Sequence, residues 1–293
     1  MNFKTILKEL EALKQTKNVV CGSVGVSSCG QDIPYFFVGK KNAEILLVEA
    51  GIHAREYITT LTCIELVKYY AKLNLDFGIY FVPMSNPDGI ELCLEGVQGK
   101  HGNVDFNFLK QVNNDSEDFS QWKANIRAVD LNVNFDALWG QGKHNVSVAM
   151  PANYVGKHAN SEIETQNLIA FARKIKPNLA LCLHSKGNVI YFGFDSLTKQ
   201  ELKRDKFIAK KLQEVSGYKL VKLNESVGGF SDWLSLNFKI LAFTVEVGND
   251  KLKHPIGKEH LFTILNEIKH FPLVAINSLR KFCEKQKNAN KIN

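Results

Sequence analysis

A histidine and a glutamate three residues apart, His53 and Glu56, lie in the run Gly51-Ile52-His53-Ala54-Arg55-Glu56. At that spacing an imidazole nitrogen and a carboxylate oxygen can face one point, and the pair suits a borderline cation such as Zn²⁺. Two ligands do not close a site, so a third ligand and a base must come from farther along the chain. His184 ends the apolar run 179–183, and Glu246 ends the run 240–245. Two histidines and one carboxylate leave a fourth position open for water, the composition of a catalytic zinc site. Glu246, near the metal but not on it, would then be the group that takes a proton from water. A purely structural role for Glu246 is hard to sustain, because burying an unpartnered carboxylate is costly.

These residues need a scaffold that gathers strand ends. His53 follows the apolar run 43–50, and a glycine, Gly51, lets the chain turn before a helical pattern over 57–72. Residues 1–15 carry an amphipathic helix with Phe3, Ile6, Leu7, Leu10 and Leu13 on one stripe. Strands are expected at 19–26, 33–38, 77–83, 179–185, 189–192 and 240–245, and helices at 161–174, 199–215 and 260–282. Asn86-Pro87-Asp88-Gly89 reads as a turn, residues 90–121 show no regular pattern, and 284–293 form a polar tail. The strand–helix–strand rhythm predicts one α/β domain over 1–293, with a mixed, mostly parallel twisted sheet and helices on both faces. In such sheets ligands collect beyond the carboxyl ends of the strands, where His53, Glu56, His184 and Glu246 fall.

Composition narrows the partners. Of 293 residues 45% are hydrophobic, enough for a sizeable core, and the formal net charge of +7 comes from lysines scattered along the chain. No zinc-finger spacing, helix-turn-helix signature or aromatic–basic interleaving points to nucleic acid. The six cysteines have no paired spacing, and Cys63 and Cys182 sit inside apolar runs. The first ten residues lack the apolar centre of a secretory signal, and no apolar run reaches the ~18 residues of a membrane span, so a reducing cytoplasm is the expected compartment. The oligomeric state is not legible.

Taken together, the segments Gly-Ile-His-Ala-Arg-Glu at 51–56, Asn-Pro-Asp-Gly at 86–89, Val-Asp-Leu-Asn at 129–132, Tyr-Val-Gly-Lys-His-Ala-Asn-Ser-Glu-Ile-Glu at 154–164, Leu-His-Ser at 183–185 and Thr-Val-Glu-Val-Gly at 244–248 resemble the zinc carboxypeptidases of the carboxypeptidase A-like (funnelin) family. They occur in that family's order and cover roughly residues 40–250. The resemblance implies a zinc-dependent peptidase with one Zn²⁺ on His53, Glu56 and His184, and with Glu246 as general base and acid. It also implies that Asp130 orients the first zinc histidine, and that Arg55 and Asn132 contact the substrate's carboxylate and backbone. An arginine near Trp122 normally stabilises the oxyanion in this family. Lys123 holds that place by strict alignment, whereas Arg127 has the matching side chain and is the preferred candidate, because a guanidinium keeps its charge and its fork suits an oxyanion.

Two departures shape the substrate. Digestive-type members carry Asn-Arg where this chain has Asn132-Val133, so the arginine that grips a terminal carboxylate is missing. Phe230 is the nearest aromatic to the family's mobile tyrosine and is expected to wall the substrate site, without a phenol. The pattern from Trp122 to Asn132, with Gly228-Gly229-Phe230-Ser231-Asp232-Trp233, is similar to the bacterial branch that acts on peptidoglycan peptides as γ-D-glutamyl-diamino-acid peptidases. A short peptide or muropeptide is therefore the expected substrate. An amidohydrolase acting on N-acyl amino acids, and a non-catalytic binding module on the same scaffold, are the alternatives. Lys186 is a candidate substitute for the lost arginine. His101, His144, His158, His254, His260 and His270 are read as surface or packing residues.

Overall fold

The computed structural model describes residues 1–99, 102, 104–194, 197–222 and 227–292. The elements in order are α1 (Phe3–Lys14), β1 (Val20–Val26), β2 (Asp32–Gly39), β3 (Ile45–Ala50), α2 (Tyr57–Tyr70), β4 (Gly78–Val82), α3 (Pro87–Glu95), α4 (Phe106–Val112), α5 (Ile163–Ile175), β5 (Leu179–Ser185), β6 (Val189–Phe192), α6 (Lys199–Ser216), β7 (Lys219–Lys222), α7 (Phe230–Phe238), β8 (Leu241–Val247), α8 (Leu261–Ile268) and α9 (Phe271–Ile292). Among the described residues the eight strands form one sheet in the order β1-β2-β4-β3-β5-β8-β6-β7. Four of its seven pairings are parallel: β3 with β4, β3 with β5, β5 with β8, and β6 with β7. The fold is the mixed, mostly parallel α/β sheet that the sequence predicts.

The alternation of side chains along the central strands builds a core on each face. Leu179, Leu181 and Leu183 of β5, with Leu241, Phe243 and Val245 of β8, pack under α1, α2, α6, α8 and α9. Ala180, Cys182 and Ala242 face the opposite way, toward Leu168, Phe171 and Ala172 of α5 and Phe230, Trp233 and Leu234 of α7. His184 pairs with Glu246 across the parallel β5–β8 ladder, in step with Cys182 and Thr244. Paired residues in a sheet share a face, so both side chains leave the same side of the sheet at its carboxyl edge. Burial on both faces also explains why β3 and β5 are apolar runs rather than alternating ones.

Several expectations need correction. Asn86-Pro87-Asp88-Gly89 opens α3: the Asn86 side chain caps the helix by accepting from Gly89 N, with proline in the first turn. The same residue types serve turns and helix starts. Residues 90–121 contain the greater part of α3 and all of α4. The helix expected from 161 begins at Ile163, with Glu162 as N-cap. The single C-terminal helix is two, broken after Ile268, and the supposed tail is helical to Ile292. The four-residue edge strand β7 was not anticipated. None of the six cysteines is in a disulfide, and among the described residues no helix is long and apolar enough to cross a membrane.

Candidate metal centre and active site

The ligand turn follows β3 directly. Gly51 has φ +69, a left-handed conformation in which a Cβ would lie 2.5 Å from Thr60 Oγ1, so the turn requires glycine. One turn of 3₁₀ helix, Ala54–Glu56, then places Glu56 three residues after His53 and leads into α2. Ala54 N and Arg55 N donate to the carbonyls of Lys123 (3.1 Å) and Trp122 (2.9 Å), which staples the 122–123 strip to the turn. The Asn86 amide tightens that join by donating to the Ile52 and Ala124 carbonyls, each at 3.1 Å.

The result is a buried triad. His53 Nδ1 lies 2.9 Å from Glu56 Oε1 and 3.1 Å from His184 Nδ1, and His184 Nδ1 lies 3.4 Å from Glu56 Oε2. Among the described residues, His53, Glu56 and His184 form the one group of three such side chains whose ligand atoms all lie within 4.8 Å of one another. Two imidazole nitrogens facing each other in a buried site cannot bond to one another unless one carries a proton. A cation between them removes the conflict, and metal–nitrogen bonds of ~2.0–2.1 Å at the tetrahedral angle give a spacing of about 3.3 Å. The donor set and its spacing therefore fit zinc.

Behind the ligands, His53 Nε2 sits 3.3 Å from Asp130 Oδ1, without the alignment of a full hydrogen bond. Asp130 is fully buried and also meets Lys123 Nζ at 2.8 Å, while accepting from Asn132 N and Asn153 N. Burial opposes its ionisation, but Lys123 and His53 outweigh burial and hold its carboxyl well below the usual range. At His53 burial likewise works to lower the pKa, and the carboxylates of Glu56 and Asp130 outweigh it, so the value is raised. Glu56, buried yet bonded to both histidines, is held well below the usual carboxylate range. Its Oε2 also accepts from Ser185 N at 2.9 Å. The pocket is thus short of positive charge, as a site built for a cation should be.

Glu246 stands beside His184 in register, partly exposed, with Oε2 buried and without a partner among the described residues. Burial pushes its pKa up to about 7, a range suited to taking and returning a proton near neutrality. Glu49, in the middle of the apolar strand β3, is a further buried carboxyl behind the site; it accepts from Ser85 Oγ at 2.6 Å, and burial raises its pKa.

The other candidates divide. Lys123, with a side chain 17% exposed, is at the centre through Asp130. Arg127, preferred from the sequence, points away: its Nε is 3.4 Å from Glu162 Oε2 and its side chain is 56% exposed. It lines a separate cleft of about 650 Å³ with Ser27, Ser28 and Lys157. The Asn125 side chain sends it there by accepting from the backbone N–H groups of Arg127 and Val129, with Ala128 between them at φ +59. Phe230 is not a wall of the substrate site; it is 1% exposed and packs against Phe135 and Trp233. Asn132 uses its side-chain oxygen to accept from Phe230 N, which fixes the start of α7. Val133 is buried, and Lys186 donates to the Asp250 carbonyl at 2.6 Å. His254, read as a surface or packing residue, stands part-buried near Arg55 and Glu56; only its place on the loop after β8 could have signalled this. His101 lies outside the described residues.

Comparison with known proteins agrees with this geometry. The family model described as zinc carboxypeptidase matches residues 6–269. The γ-D-glutamyl-L-diamino acid endopeptidase 1 of Lysinibacillus sphaericus is 29% identical over 274 residues, covering 88% of this chain and 68% of that protein. The Bacillus subtilis protein YqgT is 30% identical over 267 residues, covering 85% and 69%. Among solved structures, bovine thrombin-activatable fibrinolysis inhibitor superposes with a TM-score of 0.75 at 20% identity, covering 98% of both chains. Murein-tripeptide amidase MpaA from Escherichia coli O157 superposes at 0.56 and 20% identity, covering 87% of this chain and 91% of that one. The match across most of the chain, with a His/Glu/His group at its centre, identifies the protein as a zinc metallopeptidase of the zinc carboxypeptidase family.

Proposed function

We propose that this peptidase uses one zinc ion to hydrolyse the amide bond between a γ-linked D-glutamyl residue and a diamino acid in a short, peptidoglycan-derived peptide. The hydrolytic part rests chiefly on the spacing of the His53, Glu56 and His184 donor atoms beside an unpartnered Glu246 carboxylate. Two findings support the substrate: Val133 is buried and apolar where digestive-type relatives carry the carboxylate-gripping arginine, and the Lysinibacillus sphaericus relative is a γ-D-glutamyl-L-diamino acid endopeptidase.

Zinc held by the three ligands would supply Lewis-acid polarisation of the scissile carbonyl and acidify water at the open position. Asp130, facing His53 Nε2, fixes the tautomer that leaves Nδ1 free to ligate. Glu246 accepts the proton of the attacking water and returns it to the departing amine. Lys123, rather than Arg127, supplies the protein's cation for the developing oxyanion, since its carbonyl is bonded to Ala54 N of the ligand turn and its ammonium meets Asp130 beside His53. Arg55 and the amide of Asn132 are the contacts for the substrate's carboxylate and backbone.

The test is a product assay on zinc-loaded protein. γ-D-Glutamyl-diaminopimelate and γ-D-glutamyl-lysine peptides are incubated beside α-linked dipeptides and N-acyl amino acids, and the products weighed by mass spectrometry. Release of the diamino acid from the γ-linked peptides supports the reading. Hydrolysis confined to N-acyl amino acids would move the assignment to a small-molecule amidohydrolase, and no hydrolysis by a fully zinc-loaded sample would leave a binding module.

A further inference from the structure

The loop from Gly248 to Gly257, which follows Glu246, is tied down from both sides of the metal centre. On one side Gly187 N donates to the Gly248 carbonyl at 2.7 Å, and Lys186, two residues after His184, donates from Nζ to the Asp250 carbonyl at 2.6 Å. On the other, Gln121 donates from Nε2 to the His254 carbonyl at 2.7 Å, while its own carbonyl accepts from Arg55 Nη1 at 3.4 Å. Gln121 is therefore a strut between Arg55, the neighbour of ligand Glu56, and His254 on the loop. Both of the bridged side chains have unspent hydrogen-bonding capacity, because Arg55 Nε and His254 Nδ1 are buried without a partner among the described residues. Each side chain is otherwise part-exposed.

The charges around this strut are unevenly committed. Lys123 is held by Asp130, Glu56 is bonded to both histidines, and Lys186 has Asp250 Oδ1 only at 4.0 Å. No carboxylate is paired with Arg55 among the described residues. Burial, with the Arg55 and Lys186 charges adding to it against Glu56, lowers the His254 pKa. Arg55 is the guanidinium on this side of the site, and His254 offers an imidazole nitrogen beside it.

The substrate proposed above has a group that fits. A γ-linked glutamyl residue keeps its α-carboxylate free, on the acyl side and a few bonds from the scissile carbonyl. An α-linked peptide carries a carboxylate at that distance only when its acyl residue is itself acidic. Bringing that carboxylate against a closed site requires a cation and hydrogen-bond donors, and buried Val133 offers neither.

We propose that Arg55 and His254, joined by Gln121, read the free α-carboxylate of the γ-linked glutamyl residue, and that Gln121 and Lys186 are positioning residues holding the loop that carries His254. The inference rests on the peptidase reading above. It adds specificity contacts on the acyl side of the bond, with His254 and Gln121 as residues that govern the choice of substrate.

The experiment compares kcat and KM for a γ-D-glutamyl-diaminopimelate peptide and its α-amide in the zinc-loaded wild type, His254→Ala, His254→Gln and Gln121→Leu. Zinc content of each variant serves as the check on folding. The wild type should prefer the free carboxylate by about thirtyfold or more, the range of a charge-assisted pair of hydrogen bonds. His254→Ala and Gln121→Leu should each cut that preference by about tenfold, through a higher KM for the carboxylate form, and His254→Gln should recover part of it. An undiminished preference in both His254→Ala and Gln121→Leu would overturn the proposal. Calorimetry of both peptides on Glu246→Gln, with and without His254→Ala, separates the two readings. If the wild type cleaves neither peptide, the proposed function fails. The recognition claim then stands on carboxylate-selective binding lost with His254, and falls if the two peptides bind alike.

Discussion

Exchanging Lys123 for methionine tests the site at the point where sequence and geometry disagree. Methionine keeps much of the lysine stem's length and removes its charge, so packing changes little. The buried Asp130 carboxylate then keeps the amides of Asn132 and Asn153 but loses the ammonium at 2.8 Å. A hydrogen bond to a charged group contributes about 1.5–3 kcal/mol. At ~2 cal/mol/K of unfolding entropy per residue, that loss lowers Tm by about 3–5 °C for a chain of this length. Catalysis should suffer more, because losing one oxyanion donor costs about 10²–10³ in kcat. Arg127→Ala removes a guanidinium that is 56% exposed and pairs with Glu162 at 3.4 Å, worth about 1 kcal/mol or less, and should leave kcat within about threefold. The assay is steady-state hydrolysis of a γ-linked peptide at matched zinc occupancy, with Lys123→Arg as the charge-preserving control. Full kcat in Lys123→Met together with a hundredfold loss in Arg127→Ala would refute the assignment and return the oxyanion role to Arg127.

Other predictions follow from the same contacts. Glu246→Gln should retain zinc by elemental analysis and lose about 10³-fold or more in kcat; near-normal turnover would remove Glu246 from proton transfer. Asp130→Asn should weaken zinc binding by about 10–100-fold in a chelator competition, because the fixed orientation of His53 is lost; an unchanged affinity would show that Asp130 serves only the local backbone. Away from the site, burial pushes Asp205 up to about 6, even with Arg204 at 2.8 Å. A folded pKa above the unfolded value near 3.8 means that the stability contribution is complete below about pH 4 and lost as pH rises through 6. Asp205→Asn should therefore raise stability relative to wild type by about 3 kcal/mol at pH 8 and by little at pH 4; a gain independent of pH would rule out the carboxylate as its cause.

The candidate metal centre was legible because its proposed members sit at the ends of apolar strands, and parallel strands that end together must bring those residues together. The β5–β8 register, His184 opposite Glu246, is the physical content of that reading. What escaped was set by side chains acting on loop backbone. Arg127 looked suited to an oxyanion by chemistry, but the Asn125 clamp and the left-handed Ala128 turn it outward, and no local pattern signals this. Phe230 was taken for a wall as the nearest aromatic to the family's mobile tyrosine; its place depends on Phe135 and Trp233, the first distant in sequence. Asn86 offered turn chemistry, and the fold uses it both as a helix cap and as a clamp between the ligand turn and the 122–124 strip. Glu49, a carboxylate inside an apolar strand, was the one visible sign of a further buried acid behind the metal.

The most direct measurement is the zinc content of purified, chelator-washed and reconstituted protein, determined together with that of His53→Ala and His184→Ala. One equivalent of zinc per chain is expected in the wild type and less than about a tenth of that in either variant, with all three proteins folded. A wild type that holds no zinc, or a His53→Ala or His184→Ala protein that keeps a full equivalent, would contradict it.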